Sequence, residues 1–295
     1  MATAAEVRTR LHRQIDRLPV LPAVIGKLMT LDRDDDEYFS QVLELIEADP
    51  SYSARVLAAA NAASSSPRSP VTSVRMSLAR LGSTGASNLI LAMAVSRVFV
   101  PRDDWERSLW RHSLQVANTM RKLVHHGAGR LALDADEGFT AGLLHDIGRF
   151  VLLDEVPDEL RRIDEGGWEH PEELIELERK ICGLTHGEIG QIACERWGLP
   201  AKIGQLVRRH HEPGVSLTGG EIDEMIAMAH FADMAMFPSA MPGTPGYDAQ
   251  SLDVIEAELL PRVPVGFSIT GERLQELIVS AAAESDQTCA LLGLG

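Results

Sequence analysis

Helix starts and stops are written along this chain at short intervals, and no run of alternating strand residues interrupts them. In IEADPSYSARVLAAANAA, Asp49 reads as an N-cap with Pro50 in the first turn, where a missing N–H does no harm, and the helix runs to about Ala63. Thr72 or Ser73 opens the next helix, and Gly82 stands just past its end, where a left-handed cap favours glycine. From Trp105 onward, Leu109, His112, Val116, Met120 and Leu123 recur at steps of three and four, which is one inward helical face. The glycines of GAG, Gly127 and Gly129, close that helix, and the segment Ala132 to Glu155 reads as the next one. Thr185 and Glu188 form a capping box, so His186 falls in a first turn; Gly198 and Pro200 end that helix. Pro213 closes a short helix with His210 and His211 in its last turn, and the stripe Ile222, Ile226, Ala229, Met236 marks another with Asp233 in its midst. FPSAMPGTPGYD reads as a linker, followed by helices near Ser251 to Leu260 and Gly271 to Ala283. The expected fold class is all-α: an N-terminal helical part over residues 14–100 packed on a helical bundle over 104–238, then a linker and a short helical C-terminal appendage over 239–295.

Composition narrows the function classes. With 45% hydrophobic residues in 295 the chain has ample material for a core, and with only 5% aromatics that core must be aliphatic. A formal charge of −15 argues against general binding to phosphate backbones and favours basic protein surfaces as partners. The N-terminal stretch has no apolar run of leader length and nothing approaches a membrane span, so a cytoplasmic protein without membrane attachment is expected. Cys182, Cys194 and Cys289 are scattered, which suits a reducing compartment and offers no thiolate metal site.

Within FTAGLLHDIGRFVLLDE, His145 and Asp146 sit side by side in an otherwise apolar segment. Burying two ionisable groups costs several kcal/mol unless partners compensate, so the dipeptide needs something to face. His112 and Asp233 also fall on inward faces, and imidazole with carboxylate is a donor set suited to iron, manganese or zinc rather than magnesium. A lone core histidine is more often hydrogen-bonded than ligating. His210 and His211 at a helix C-terminus suit the helix dipole, and His186 would be tolerated in a first turn. His12, His125, His126, His170 and His230 are given no role.

The order H, HD, H, HH, D resembles the HD superfamily of metal-dependent phosphohydrolases. Upstream, IDRLPVLPAVIGKLMTL, LIEADPSYSARVLAAANAAS and VTSVRMSLARLG resemble the N-terminal half of the HDOD domain, a signalling relative of the HD and HD-GYP domains; the likeness covers approximately residues 14 to 238. It implies an all-helical fold, with His112, His145, Asp146 and Asp233 for a first divalent metal and His186, His210 and His211 for a second. Asp146 would bridge the two. Arg149 is not part of that implied set, but an arginine there can clamp a phosphate, though it cannot serve as a neutral base. The chain departs from the HD-GYP pattern at three places: Arg149 replaces the lysine of HDIGK, Ser108 occupies the position of an extra glutamate ligand, and HHEPGVSLTGG lacks GYP. Cyclic di-GMP hydrolysis is therefore not expected.

Two functions follow. The resemblance implies a regulatory HDOD module that contacts other signalling proteins, with or without a bound metal or nucleotide. The retained ligand set points instead to a phosphohydrolase acting on a nucleotide or another phosphate ester. The missing GYP motif places the regulatory module first.

Overall fold

A computed structural model describes residues 3–15, 18, 21–62, 71–127, 129–168, 171–240 and 247–294. The helices are α1 (Ala4–Ile15), α2 (Ala23–Thr30), α3 (Tyr38–Glu47), α4 (Pro50–Ala62), α5 (Val74–Leu81), α6 (Ser83–Ser96), α7 (Asp104–His126) and α8 (Ala135–Leu144). They continue as α9 (Ile147–Glu155), α10 (Pro157–Asp164), α11 (Pro171–Cys182), α12 (His186–Arg196), α13 (Ala201–Arg209), α14 (Glu221–Ala240), α15 (Leu252–Val254) and α16 (Gly271–Leu292). No strand occurs among the described residues, as the cap grammar requires. No single helix there is long and apolar enough to cross a membrane. His170 and residues 241–246 of the expected linker lie outside the described residues.

The chain divides into two compact units, Val20–Val100 with Gln287–Gly295, and Met1–Pro19 with Pro101–Asp286. In the former, α6 contacts α2, α3, α4 and α5. Ala86 through Val95 of α6 are all buried, the pattern of a helix with no solvent face. Ser73 caps α5 by accepting from Met76 N–H, and Gly82 adopts φ 77°, so both helix boundaries fall where the sequence puts them.

In the latter unit α7 is the spine, contacting α8 and α14. Val116, Met120 and Leu123 share one core with Ile226, Ala229 and Met236 of α14 and with Leu274, Ile278 and Ala281 of α16. The last helix runs to Leu292, nine residues beyond the expected Ala283, because its apolar spacing continues through Ala281, Ala282 and Cys289. The capping box at Thr185 and Glu188 is present, and α12 starts at His186.

The single helix expected between Ala132 and Glu155 is two helices, broken at His145 and Asp146. Asp146 leaves the helical region at φ −99° and ψ 18°, and Arg149 N–H donates to its carbonyl at 2.8 Å to start α9. Two glycines give the reason. A Cβ on Gly142 would lie 2.6 Å from Ala117 Cα of α7, and one on Gly148 would lie 2.7 Å from the His186 carbonyl carbon of α12. Each half therefore presses against a different neighbour, and the chain bends between them. Likewise α13 ends at Arg209, with His210 as its C-cap and His211 beyond, rather than holding both in its last turn.

Candidate metal centre

Five segments of the Pro101–Asp286 unit bring the seven predicted site residues together. His112 comes from the middle of α7, His145 and Asp146 from the α8–α9 corner, and His186 from the start of α12. His210 and His211 follow α13, and Asp233 comes from α14. All are buried except His211, whose side chain is 14% exposed. The two oxygens of Asp146 face opposite ways. Oδ2 lies 3.6 Å from His145 Nε2 and 3.9 Å from His112 Nε2, while Oδ1 lies 3.3 Å from His186 Nε2 and 3.5 Å from His210 Nε2. Asp233 completes one side, its Oδ1 being 3.0 Å from His112 Nε2, and reaches the other through Oδ2, 3.4 Å from His211 Nδ1. Two donor groups result, His112 with His145 and Asp233, and Asp146 with His186, His210 and His211, each with its atoms within 4.8 Å of one another.

The tautomers follow from the outer hydrogen bonds. His145 Nδ1 lies 2.7 Å from the Gly142 carbonyl, and His210 Nδ1 lies 2.9 Å from that of Val207. A carbonyl only accepts, so both Nδ1 atoms carry the proton. His186 Nδ1 lies 2.8 Å from the Glu178 carboxylate and donates to it. In the neutral rings, all three Nε2 lone pairs then point at Asp146, and His186 Nε2 and His210 Nε2 face each other at 3.2 Å. Lone pairs and carboxylates converging in a buried space repel unless a cation lies among them. His145 Nε2, Asp146 Oδ1 and both ring nitrogens of His211 have no hydrogen-bond partner among the described residues. These residues fit a divalent metal.

Electrostatics agree with that reading at four groups, His145, His211, Asp146 and Asp233. Burial, opposed by Asp146 and Asp233, pushes His145 down to about 4, so it is neutral near pH 7. Burial and the neighbouring His210 hold His211 well below the usual imidazole range. Burial would raise Asp146, but His145, His186, His210 and Arg149 outweigh it and keep the carboxyl well below the ordinary range. Asp233 is held low in the same way, burial being outweighed by the hydrogen bond from His112 and the field of His211. His186 moves the other way: burial lowers it, but Glu178 and Asp146 outweigh that and favour the imidazolium, whose Nε2–H points toward His210 Nε2 and must give up its proton before Nε2 can bind a metal.

Glu178 was not legible as a site residue from the motif order, yet it is fully buried and fixes His186 twice, accepting from its backbone N–H and from Nδ1–H, both at 2.8 Å. The signal was present: Leu174, Glu178 and Cys182 lie four apart on the buried face of α11. Arg149 lies 3.8 Å from Asp146 Oδ2 and donates to Asp164 at 2.6 Å, so its charge is already met on one side. His230 donates through Nδ1 to the His210 carbonyl at 2.9 Å, while His125 and His126 are exposed. A cavity of about 270 Å³ opens onto His112, Asp146, His211 and Asp233, and another of about 590 Å³ reaches His186, His210 and His211.

Among solved structures, the chain is similar to an HDOD domain protein of unknown function from Geobacter sulfurreducens, with TM-score 0.70, 24% identity, and coverage of 96% of this chain and 99% of that one. A candidate phosphohydrolase from Shewanella amazonensis gives TM-score 0.71 at 22% identity over 96% and 98%. Among curated proteins, an uncharacterized Treponema pallidum protein is 26% identical over 223 residues, 76% of this chain and 43% of that protein. Ribonuclease Y of Thermus thermophilus is 28% identical over 193 residues, 65% and 28% respectively. The chain thus spans less than half the length of these curated relatives. The HDOD domain family model matches residues 18–213, and with two thirds of its length matched and an all-helical HDOD fold, the chain belongs to the HDOD family.

Proposed function

We propose that this HDOD protein is a metal-dependent phosphohydrolase whose seven histidine and aspartate residues hold a pair of divalent ions, iron, manganese or zinc. One observation carries the reading: the outer bonds of His145, His186 and His210 protonate each ring at Nδ1 and turn three Nε2 lone pairs toward the one carboxylate. His186 and His210 also come within hydrogen-bond distance of each other through those nitrogens, at 3.2 Å, whereas His145 Nε2 has no hydrogen-bond partner among the described residues, which a merely structural cluster would supply.

Such ions, when bound, acidify a water and polarise a phosphoryl oxygen. The chain's own groups do the rest. Asp146 presents one oxygen to each donor group, and Asp233 ties His112 to the side of His211. Burial excludes bulk water from the cluster, and the cavity above His112 and Asp146 admits a phosphate ester. Arg149 borders that cavity and holds its position through Asp164. The ribonuclease name of one relative and the phosphohydrolase name of another support phosphoester chemistry.

A second reading, the regulatory module, is favoured by the missing GYP motif and by Arg149, whose pairing with Asp164 leaves less of its charge for a substrate. In that reading the chain acts in signalling by contacting other proteins, and its acidic charge selects basic surfaces. A panel of phosphomonoesters and phosphodiesters on manganese- or iron-loaded protein separates the two. Hydrolysis should occur over multiple turnovers and vanish in both His145→Ala and Asp146→Ala. Loaded protein that turns over nothing on the panel contradicts the enzyme reading.

A further inference from the structure

Glu178 fixes His186 from α11, and α11 packs against the first helix of the chain. α1 belongs to the unit that holds the cluster, although Val20–Val100 follows it directly in sequence. The approach is close: a Cβ on Gly183, the residue after α11, would lie 2.9 Å from the Ala4 carbonyl oxygen. Among the described side chains of α1, Val7 and Leu11 are buried one turn apart, while Glu6, Arg8, Arg10, His12 and Arg13 are exposed. Arg10 meets Glu159 of α10 at 2.9 Å with its side chain 44% exposed. Cys182, one turn after Glu178 on the buried face of α11, has its thiol raised by burial, with Glu178, Glu159 and Arg10 near enough to act on it. The two helices that α1 engages each carry an acid that orients a neighbour of the cluster: Glu178 of α11 holds His186, and Asp164 at the end of α10 holds Arg149.

We propose that α1 is a detachable strap. Docked, it holds Glu178 against His186 and keeps the donor group of Asp146, His186, His210 and His211 ready for its ion; lifted, it frees α11 and weakens that group. The inference rests on the metal-centre reading for the ion only, since the hold on His186 exists without one. Its grounds are an attachment that is light beside what it supports. Two buried aliphatic side chains and one half-exposed ion pair are few contacts for a helix of 12 residues, and segments so held open locally without global unfolding. A helix of that length is marginal alone in water, so α1 is ordered by docking rather than by itself. The long Glu178 side chain meets two donors of one residue only while α11 keeps its place. Because Val20–Val100 follows α1 in the chain, the strap is one route by which a change in that unit reaches the cluster.

Amide hydrogen exchange on the EDTA-treated full chain reads the strap without metal or turnover. The His186 backbone N–H is held by Glu178, whereas the Glu188 N–H in the same first turn is held by Thr185 Oγ1 and serves as the internal reference. Leu11→Glu puts a charge at a fully buried position of α1 and should lift the helix. The His186 amide should then exchange about tenfold or more faster, while the Glu188 amide stays within about twofold of wild type. Zinc titrated into the same variant should bind about tenfold more weakly, the lower end for losing the outer partner of a ligating histidine. A His186 amide as protected as in wild type overturns the proposal. So does a Glu188 amide that speeds up equally, because α12 would then be loosening as a whole. If Leu11→Glu fails to fold by circular dichroism, Val7→Ala decides, with the same contrast at several-fold size. Wild type that takes up no zinc would sink the metal-centre reading and leave the exchange contrast to decide the strap. Unchanged zinc affinity in a variant whose His186 amide has opened would overturn the link from strap to cluster and leave the metal centre standing.

Discussion

Glu178 is the residue whose chemistry can be changed with the least change of shape. Its carboxylate accepts from two donors of one residue, the backbone N–H and the Nδ1–H of His186, and gives none. Glutamine is isosteric but offers one acceptor and one donor. If its amide oxygen keeps the backbone N–H, its NH₂ group faces Nδ1–H, and the clash is relieved only when His186 moves its proton to Nε2. That nitrogen, 3.3 Å from Asp146, is then no longer a ligand. Loss of an outer partner of a metal-bound histidine typically weakens binding about 10–100-fold, or about 1.4–2.7 kcal/mol. Glu178→Gln should therefore lower metal affinity by that amount in a competition titration with a chelator, while the far-ultraviolet circular dichroism stays helical. An ¹⁵N spectrum of the metal-free variant should show the His186 tautomer exchanged. Unchanged affinity with an unchanged tautomer would refute the outer-bond argument.

Gly148→Ala should cost about 1–3 kcal/mol in urea denaturation and reduce metal content as well, because its Cβ would press into the His186 backbone and drive α9 from α12; a variant as stable and as metal-rich as wild type would show that the helices have room. Stability of the metal-free chain should fall in acid. The folded pKa of His145 lies at about 4 against an ordinary 6.5, so the folded state favours the neutral ring. That contribution is complete above pH 6.5 and is lost as the pH falls through 4, by about 3 kcal/mol in all. Urea midpoints that do not drop between pH 7 and 4 would contradict the burial of a neutral imidazole.

Where local chemistry decides an element, the sequence is a sufficient guide. Ser73, Asp103 and Thr185 each accept from backbone N–H groups at helix starts where cap residues stand, and Gly82 and Gly198 take positive φ at the ends. The order of histidines and aspartates likewise finds the seven residues that the fold brings together. What lies beyond reading is set by neighbours distant in sequence. Apolar periodicity runs straight through His145 and Asp146, and only the approach of α7 to Gly142 and of α12 to Gly148 makes the corner between α8 and α9. Asp164 gives no periodic signal, since its role at the end of α10 depends on meeting Arg149 and Trp105 in space. Glu178 lay between these cases, visible as an inward acid on α11 but without a named partner until α12 is placed beside it.

In the proposed reading these residues form one metal centre shared by Asp146. Elemental analysis of untagged wild type and Asp146→Ala, purified side by side, tests it most directly. Wild type should hold iron, manganese or zinc. Asp146→Ala should lose metal from both donor groups, since one oxygen faces each, and should stay helical by circular dichroism. Equal metal content in the two proteins would show that Asp146 is not a ligand and that the cluster is not the centre described.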